Sequence, residues 1–142
     1  MISQDRKQHI YGVAEFLKNY AISQNMPQED VESLYTLGLL HDIGYEFLEE
    51  KDYIKHIVGG GGILKKLGYK YWKEVYYHCV AGAEYSSKFL DLLNWADMRI
   101  DSSGNNVSLD GRLEELSTRY NVPIKELDSY PIVCELKAKG FK

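Results

Sequence analysis

Hydrophobic residues recur at helical spacing in the first part of the chain. They are Ile10, Val13, Ala14, Leu17 and Ala21. This stripe predicts a helix over residues 3–22 with Ser3 at its N-cap. His9 lies at the edge of the stripe, about 40° from Val13 on a helical wheel.

Proline and glycine residues divide the rest of the chain into further helices. Pro27 suits the start of a second helix, which the pattern extends to about Ile43 with Gly44 at its end. Residues 45–55 are charged and aromatic and are predicted as a loop. The remaining predicted helices are 56–67 ending at Gly68, 70–82, 86–100 capped by Ser86 or Ser87, and 110–120 and 123–139 in the tail. Because no strand-like alternation lasts more than a few residues, the sequence predicts an all-α fold.

Turn-forming residues between Asp101 and Gly111 separate a predicted core from a tail. The core is residues 1–100, and the tail is a C-terminal helical extension over residues 110–142. A length of 142 residues suits a single domain spanning 1–142.

Composition and charge exclude several classes of protein. Hydrophobic residues make up 44% and charged residues 27%, which is typical of a globular chain. A net charge of −4 argues against nucleic-acid binding through a broad basic surface. No apolar run approaches the roughly 20 residues that span a bilayer, and Cys79 and Cys134 form no CxxC pair. We therefore expect a cytoplasmic protein with no nucleic-acid or membrane partner; its oligomeric state is open, and a dimer is one option.

The adjacent pair His41 and Asp42 ends the second predicted helix, and both side chains project toward its buried half. A buried carboxylate costs several kcal/mol unless something neutralises it. A divalent cation does so by binding an imidazole nitrogen and a carboxylate oxygen together. For this dipeptide alone, a histidine at a helix end and an aspartate capping a loop remain the more common explanation.

Asp97 favours a metal site over the more common explanation, because it stands where a hydrophobic residue is expected. Leu90 and Leu93 precede it by seven and four residues, on the same helical face. Arg99 is two residues away, so the two side chains do not face each other on a helix. A metal ligand explains the placement of Asp97 better than an ion pair.

The two remaining histidines also occupy informative positions. His78 aligns with Tyr71 and Val75 in a predicted helix, and His56 opens a helix that continues into the glycines 59–62. Glycines one turn after a ligand allow helices to approach closely, as a compact metal pocket requires. Each histidine alone is more often an ordinary core or surface residue.

The order and the sequence contexts of these residues together resemble those of a known family. The order His9, His41-Asp42, His56, His78, Asp97 is similar to the ligand pattern of the HD-domain superfamily of metal-dependent phosphohydrolases. The local contexts Leu-Leu-His-Asp-Ile-Gly, His-Ile-Val-Gly-Gly-Gly-Gly and Asn-Trp-Ala-Asp-Met also resemble this family, over about residues 5–100. The resemblance implies a compact HD-domain helical bundle of about six to seven helices.

The resemblance also implies an activity and a ligand set. One metal ion would be held by His9, His41, Asp42 and Asp97. A second would be held by Asp42, His56 and His78, with Asp42 as the bridging, catalytic residue. The ions would be two divalent transition metals, drawn from Fe, Mn, Ni, Co or Zn. They would activate a water that hydrolyses a nucleotide or a related small phosphate ester.

One position departs from the family, and two other functions share its ligand pattern. Many relatives have a phosphate-neutralising Lys where this chain has Tyr45. Tyr45 is therefore a candidate substrate-binding residue, and Arg99, Lys55 or Lys88 are candidates to replace the Lys. The alternatives are an HD-fold diiron oxygenase and a non-catalytic, metal-stabilised domain that senses a nucleotide. The segment Val-Ser-Leu-Asp-Gly-Arg-Leu-Glu-Glu-Leu-Ser-Thr-Arg-Tyr is similar to tails of small HD hydrolases of unknown substrate.

Overall fold

Helices make up the fold throughout the part of the chain that the structure describes. A computed structural model describes residues 2–47 and 53–142, and the side chains of 2–46 and 59–142. The helices are α1 (Gln4–Ser23), α2 (Gln28–Leu40), α3 (Gly44–Phe47), α4 (Tyr53–Lys66), α5 (Trp72–Tyr77), α6 (Lys88–Arg99), α7 (Leu109–Tyr120) and α8 (Tyr130–Ala138), with a 3₁₀ helix at Ile124–Glu126 before α8. Strand-type pairing in these residues is limited to one isolated bridge between Ile100 and Asn106. The prediction of a compact all-α HD bundle is confirmed.

Several predicted helix ends are confirmed by their capping interactions. Ser3 caps α1 by accepting a hydrogen bond from the backbone N–H of Arg6 at 3.2 Å. Ser87, one of the two predicted caps, accepts from the backbone N–H of Leu90 at 3.0 Å. Gly68 follows α4 with a φ of 77°, the left-handed conformation that ends a helix most easily at glycine.

The end of α2 was predicted three residues too late. The helix ends at Leu40, and His41 and Asp42 lie in a turn that follows it. Gly44 begins α3 instead of ending α2, so part of the predicted 45–55 loop is helical. Residues 48–52 lie outside the described residues.

Two other predicted helices are shorter than expected. The helix predicted over 70–82 ends at Tyr77, and His78 is extended with a φ of −64° and a ψ of 143°. The next backbone N–H, of Cys79, donates to Asn94 Oδ1 at 2.7 Å, a bond that replaces continuation of the helix. The helix predicted over 123–139 is interrupted: a 3₁₀ helix covers Ile124–Glu126, Leu127 is extended, and α8 starts at Tyr130 with Pro131 in its first turn.

The main hydrophobic core lies between α1, α2 and α6. Its buried residues are Val13, Leu17, Ala21, Val31, Leu34, Leu37, Leu64, Val75, Leu92, Leu93, Ala96 and Ile100. A second cluster joins α6 to the tail through residues such as Met98, Leu113 and Ile132. Trp95 and Phe141 pack against both clusters, so the tail is attached to the core by shared aromatic contacts. Among the described helices, none has the length and apolar character needed to cross a membrane.

Glycines set the closest helix contacts around the predicted metal ligands. A Cβ at Gly38 would lie 2.5 Å from the Cα of Ala14, so α1 and α2 touch backbone to backbone. A Cβ at Gly61 would lie 2.5 Å from Cβ of Tyr76, which places α4 equally close to α5. Close approach at the glycine run, as the sequence predicted, therefore occurs at Gly61.

Gly38→Ala is expected to destabilise the protein by about 1–3 kcal/mol, because the added methyl group would collide with backbone atoms that cannot rotate away. Gly62→Ala is the matched control, since no described atom lies within 4 Å of the added Cβ. That control should be neutral or stabilising by up to about 1 kcal/mol through helix propensity. Denaturant unfolding of both variants measures the difference, and an equal response would contradict the close packing.

Candidate metal centre

Five of the six predicted ligands come together at one buried point of the fold. They are His9 on α1, His41 and Asp42 after α2, His78 after α5 and Asp97 on α6. Each is at most 8% exposed to solvent. The sixth, His56, lies on α4, but its side chain is outside the described residues.

The histidine Nε2 atoms all face the two carboxylates. His9 Nε2 lies 2.7 Å from Asp97 Oδ1 and 3.8 Å from Asp42 Oδ2. His41 Nε2 lies 3.3 Å from Asp42 Oδ2 and 3.5 Å from Asp97 Oδ1. His78 Nε2 lies 3.7 Å from Asp42 Oδ1. Five side chains from different parts of the sequence thus place nitrogen and oxygen ligand atoms within one small volume.

A backbone carbonyl fixes the other ring nitrogen of each of these histidines. His9 Nδ1 is 3.1 Å from the carbonyl oxygen of Asp101. His41 Nδ1 is 2.6 Å from that of Gly38, and His78 Nδ1 is 2.5 Å from that of Val75. Because a carbonyl only accepts hydrogen bonds, each Nδ1 must carry the proton. In the neutral ring this leaves the Nε2 lone pair facing the centre, which is the arrangement of metal-binding histidines.

The atoms of this centre fit a divalent metal. His41 is fully buried, and its Nε2 lacks a hydrogen-bond partner in the described part of the chain. A buried ring nitrogen without a partner is costly, and a metal ion would satisfy it. Two sets of ligand atoms are each close enough to hold an ion: His9, His41 and Asp42; and His78, Cys79 and Asp97.

The two oxygens of Asp42 face different histidines. Oδ2 faces His9 and His41, whereas Oδ1 faces His78. Arg6 also donates to Oδ2 at 3.2 Å, which holds the carboxylate in this orientation. A carboxylate directed to both sides has the geometry that a bridging ligand between two ions requires.

The centre attracts positive charge. Burial by itself lowers the pKa of His41, but the charge of Asp42 and the approach of Asp97 outweigh it and raise that pKa to about 10. Burial alone would raise the pKa of Asp97, yet the close approach and charge of His41 and His9 hold it well below its usual value. In the absence of metal, a protonated His41 supplies the cation that these carboxylates favour.

The metal-free protein is therefore expected to lose stability as the pH rises. The stabilisation from His41 is complete below its unfolded pKa of 6.5 and is lost as the pH rises through about 10. Asp97 is ionised in both the folded and unfolded states over this range, so it does not contribute to the change of the unfolding free energy with pH. We expect the free energy of unfolding to fall by on the order of 2 kcal/mol between pH 7 and pH 9. Denaturant titrations of wild type and His41→Gln measure this loss, and an identical loss in the variant would contradict the assignment.

Arg6 and Cys79 belong to the centre but were not predicted. Arg6 stands one helical turn before His9, so the i, i+3 spacing on α1 was a signal for it. Cys79 donates its thiol to Asp97 Oδ2 at 2.8 Å. It reaches the centre through a backbone φ of 60°, which the periodicity of the sequence does not indicate.

The two predicted substrate-binding residues lie in different places. Tyr45 is 3% exposed, lines the cavity described below, and has the guanidinium of Arg6 over its ring at 4.1 Å. Arg99 lies outside this cavity. Its guanidinium donates to the carbonyl oxygens of Val107 and Lys142 and to Asn106 Oδ1, which fastens the chain after α6.

A cavity of about 320 Å³ opens onto the predicted ligands. Its wall includes Arg6, His9, Asp42, Tyr45, His78 and Asp97 from the centre. The tail supplies much of the remaining wall, including Arg112 and Tyr120, and Asp5, Met98 and Ser102 complete it. This volume is typical of a site for a small molecule.

Comparison with known proteins agrees with this geometry. The family model described as HD domain matches residues 6–130, which include every residue of the candidate centre. Searches of curated proteins and of solved structures gave no significant match. The buried histidines and aspartates can hold a metal ion, and the family match covers most of the chain. The chain belongs to the HD domain family.

Proposed function

We propose that this protein is a metal-dependent phosphohydrolase acting on a nucleotide or a related small phosphate ester. HD domains are generally metal-dependent phosphohydrolases, and this chain carries the ligand set. One observation carries the proposal: three buried histidines, each anchored at Nδ1 by a backbone carbonyl, direct Nε2 to the carboxylate of Asp42. Such rigid preorientation is typical of metal sites.

The proposed centre takes two divalent ions from Fe, Mn, Co, Ni and Zn. Imidazole nitrogen mixed with carboxylate oxygen favours these metals over calcium. The opposed oxygens of Asp42 support a bridging position, and His56 is proposed to complete the second site with His78. When bound, such ions lower the pKa of a water toward neutrality and offset charge on phosphoryl oxygens.

Arg6 and Tyr45 are proposed to receive the phosphoryl group in place of the family's Lys. Both line the cavity beside Asp42. Burial raises the pKa of the Tyr45 phenol, and the charge of Arg6 offsets this only in part. The phenol therefore keeps its proton at neutral pH and can donate a hydrogen bond to a phosphoryl oxygen. The Arg6 guanidinium supplies positive charge where the Lys would have supplied it.

The experiment is a turnover assay of the metal-loaded protein. Protein reconstituted with Mn, Fe, Co, Ni or Zn is tested on a panel of phosphomonoesters and nucleotides, with release of phosphate as the readout. The proposal expects phosphate release with at least one metal. Absence of turnover with all of them would reject it, and oxygen uptake without phosphate release would point to the diiron oxygenase chemistry instead.

A further inference from the structure

The tail forms much of the cavity wall that does not belong to the metal centre. Its apolar side chains in the wall are Leu116, Tyr120, Val122 and Leu127. Two arginines, Arg112 and Arg119, lie in the same wall, both on α7. The C-terminal tail, to which the sequence pattern assigned no role, therefore lines the cavity.

Arg112 is a buried cation whose hydrogen-bonding capacity is only partly used. It is 7% exposed, and its Nη1 donates to Glu115 and, at 3.5 Å, to Ser102 Oγ. Its Nε is buried and has no hydrogen-bond partner among residues 2–46 and 59–142. An unsatisfied buried N–H of a charged group is costly, so a small movement of this side chain toward an acceptor in the cavity would relieve that cost.

Arg119 adds a second positive charge beside the first. Its Nη1 donates to Ser102 Oγ, the atom that Arg112 also approaches. No carboxylate of the described residues forms an ion pair with it. Ser102 therefore joins two guanidinium groups, of which only Arg112 is neutralised, by Glu115.

These arginines lie beside the metal centre but not at it. Ser102 follows Asp101, whose carbonyl oxygen holds the Nδ1 side of His9 at 3.1 Å. The Nε2 side of the same ring faces the carboxylates. His9 therefore contacts the carboxylates on one side and residue 101 on the other, and the neighbouring Ser102 contacts the arginines.

Acidic residues also line the cavity: Asp42 and Asp97 are buried and belong to the metal centre, and three others lie at the surface. Asp5, Glu126 and Asp128 are exposed, so water and salt screen their charges. Arg112 is buried and is screened much less.

Ser102 itself donates to Glu115, from its backbone N–H at 3.4 Å and from its hydroxyl at 3.0 Å. Glu115 therefore faces Ser102 and Arg112, whereas Arg119 has no carboxylate partner among the described residues.

We infer that Arg112 and Arg119 form a subsite for a second acidic group of the substrate, a phosphate or a carboxylate separate from the phosphate that is cleaved. The inference rests on the proposed function for the first phosphate only. The arginine fork suits an oxyanion because guanidinium binds such groups through paired hydrogen bonds. The apolar tail residues then contact the uncharged part of the substrate.

A purely structural role for the arginines makes a different prediction. In that case the contacts with Ser102 and Glu115 only attach α7 to the turn after α6, and anion affinity does not depend on them. The unsatisfied Nε of Arg112 and the unpaired charge of Arg119 argue for a ligand.

The first test uses metal-free protein and inorganic phosphate, so that the metal centre plays no part. Phosphate is titrated while the arginine Nε–H resonances are followed by NMR. We expect saturable binding that shifts the Arg112 resonance. Arg119→Gln should weaken binding about tenfold or more, the loss of one charge-assisted hydrogen bond.

The matched control is Lys66→Gln, which removes the same charge from an exposed residue of α4 outside the cavity. It should bind phosphate as the wild type does. No binding by the wild type, or equal binding by wild type and Arg119→Gln, overturns the inference, as does equal weakening in both variants. Because Arg119 is exposed, its substitution is expected to leave the fold intact.

A second test identifies the acidic group. In metal-loaded protein, kcat/KM is compared for a phosphomonoester, the same ester with a second phosphate and the same ester with a carboxylate. We expect at least a tenfold preference for one diacid, expressed in KM and abolished by Arg119→Gln. Equal kcat/KM for all three overturns the inference. Failure of the proposed function instead appears as no turnover of any ester, and the phosphate titration then still decides the subsite.

Discussion

Under the proposed function, Asp42→Asn is expected to lose bound metal and to reduce hydrolysis on the order of a thousandfold or more, because the proposed activated water depends on the metal. The substitution keeps the size of the side chain but replaces a carboxylate oxygen with an NH₂ group that donates. Both oxygens of Asp42 face Nε2 atoms, so no rotation of the amide restores the ligand set. Elemental analysis and phosphate release measure the two effects.

The control for this variant is Asp110→Asn, the same chemical change at an exposed position. Asp110 pairs with Lys137 at the surface, and such pairs contribute little. Its metal content and turnover should match the wild type. Full metal content in Asp42→Asn would contradict the assigned role.

Removal of the metal is expected to lower the melting temperature by roughly 10 °C or more. A ligand at about a thousand times its Kd stabilises the folded state by about 4 kcal/mol, and for a domain of this size each kcal/mol corresponds to about 3 °C. The folded state alone brings the ligands together, since they come from α1, the turn after α2, the segment after α5, and α6. Thermal unfolding with and without a chelator, followed by reloading with Mn, measures the effect.

In the same experiment, the melting temperature of Asp42→Asn is compared with that of the wild type. The melting temperature of the variant should barely respond to chelator or metal, because the binding site is gone. A wild-type melting temperature that is unchanged by chelation would show that the buried carboxylates are satisfied without an ion.

Helical periodicity was sufficient to predict the part of the centre that lies on long helices. His9 and Asp97 each stand on or beside a hydrophobic stripe, so a buried position follows directly from the sequence. The capping residues Ser3 and Ser87 located the starts of α1 and α6 for the same reason, since capping is a local interaction.

Periodicity could not predict the residues that reach the centre from turns. His41 and Asp42 follow α2, and His78 is extended, so their directions depend on tertiary hydrogen bonds. Cys79 is held by Asn94, fifteen residues away, and adopts a left-handed backbone conformation. Such long-range contacts override local preference, which is why the 70–82 helix was overestimated.

The role of the tail was also beyond prediction from sequence. Arg112 and Leu113 on α7 look like an ordinary helix in the sequence. Only the packing of α7 against α6 directs Leu113 to the second hydrophobic cluster and Arg112 to the cavity. A cavity wall built from distant segments leaves no local pattern in the sequence.

Anomalous diffraction from crystals of the Mn- or Fe-loaded protein tests the central claim most directly. We predict two peaks that share Asp42, one beside His9 and His41 on the Oδ2 side and one beside His78 on the Oδ1 side. The position of His56 would show whether it completes the second site. No peak within coordination distance of Asp42 would contradict the account.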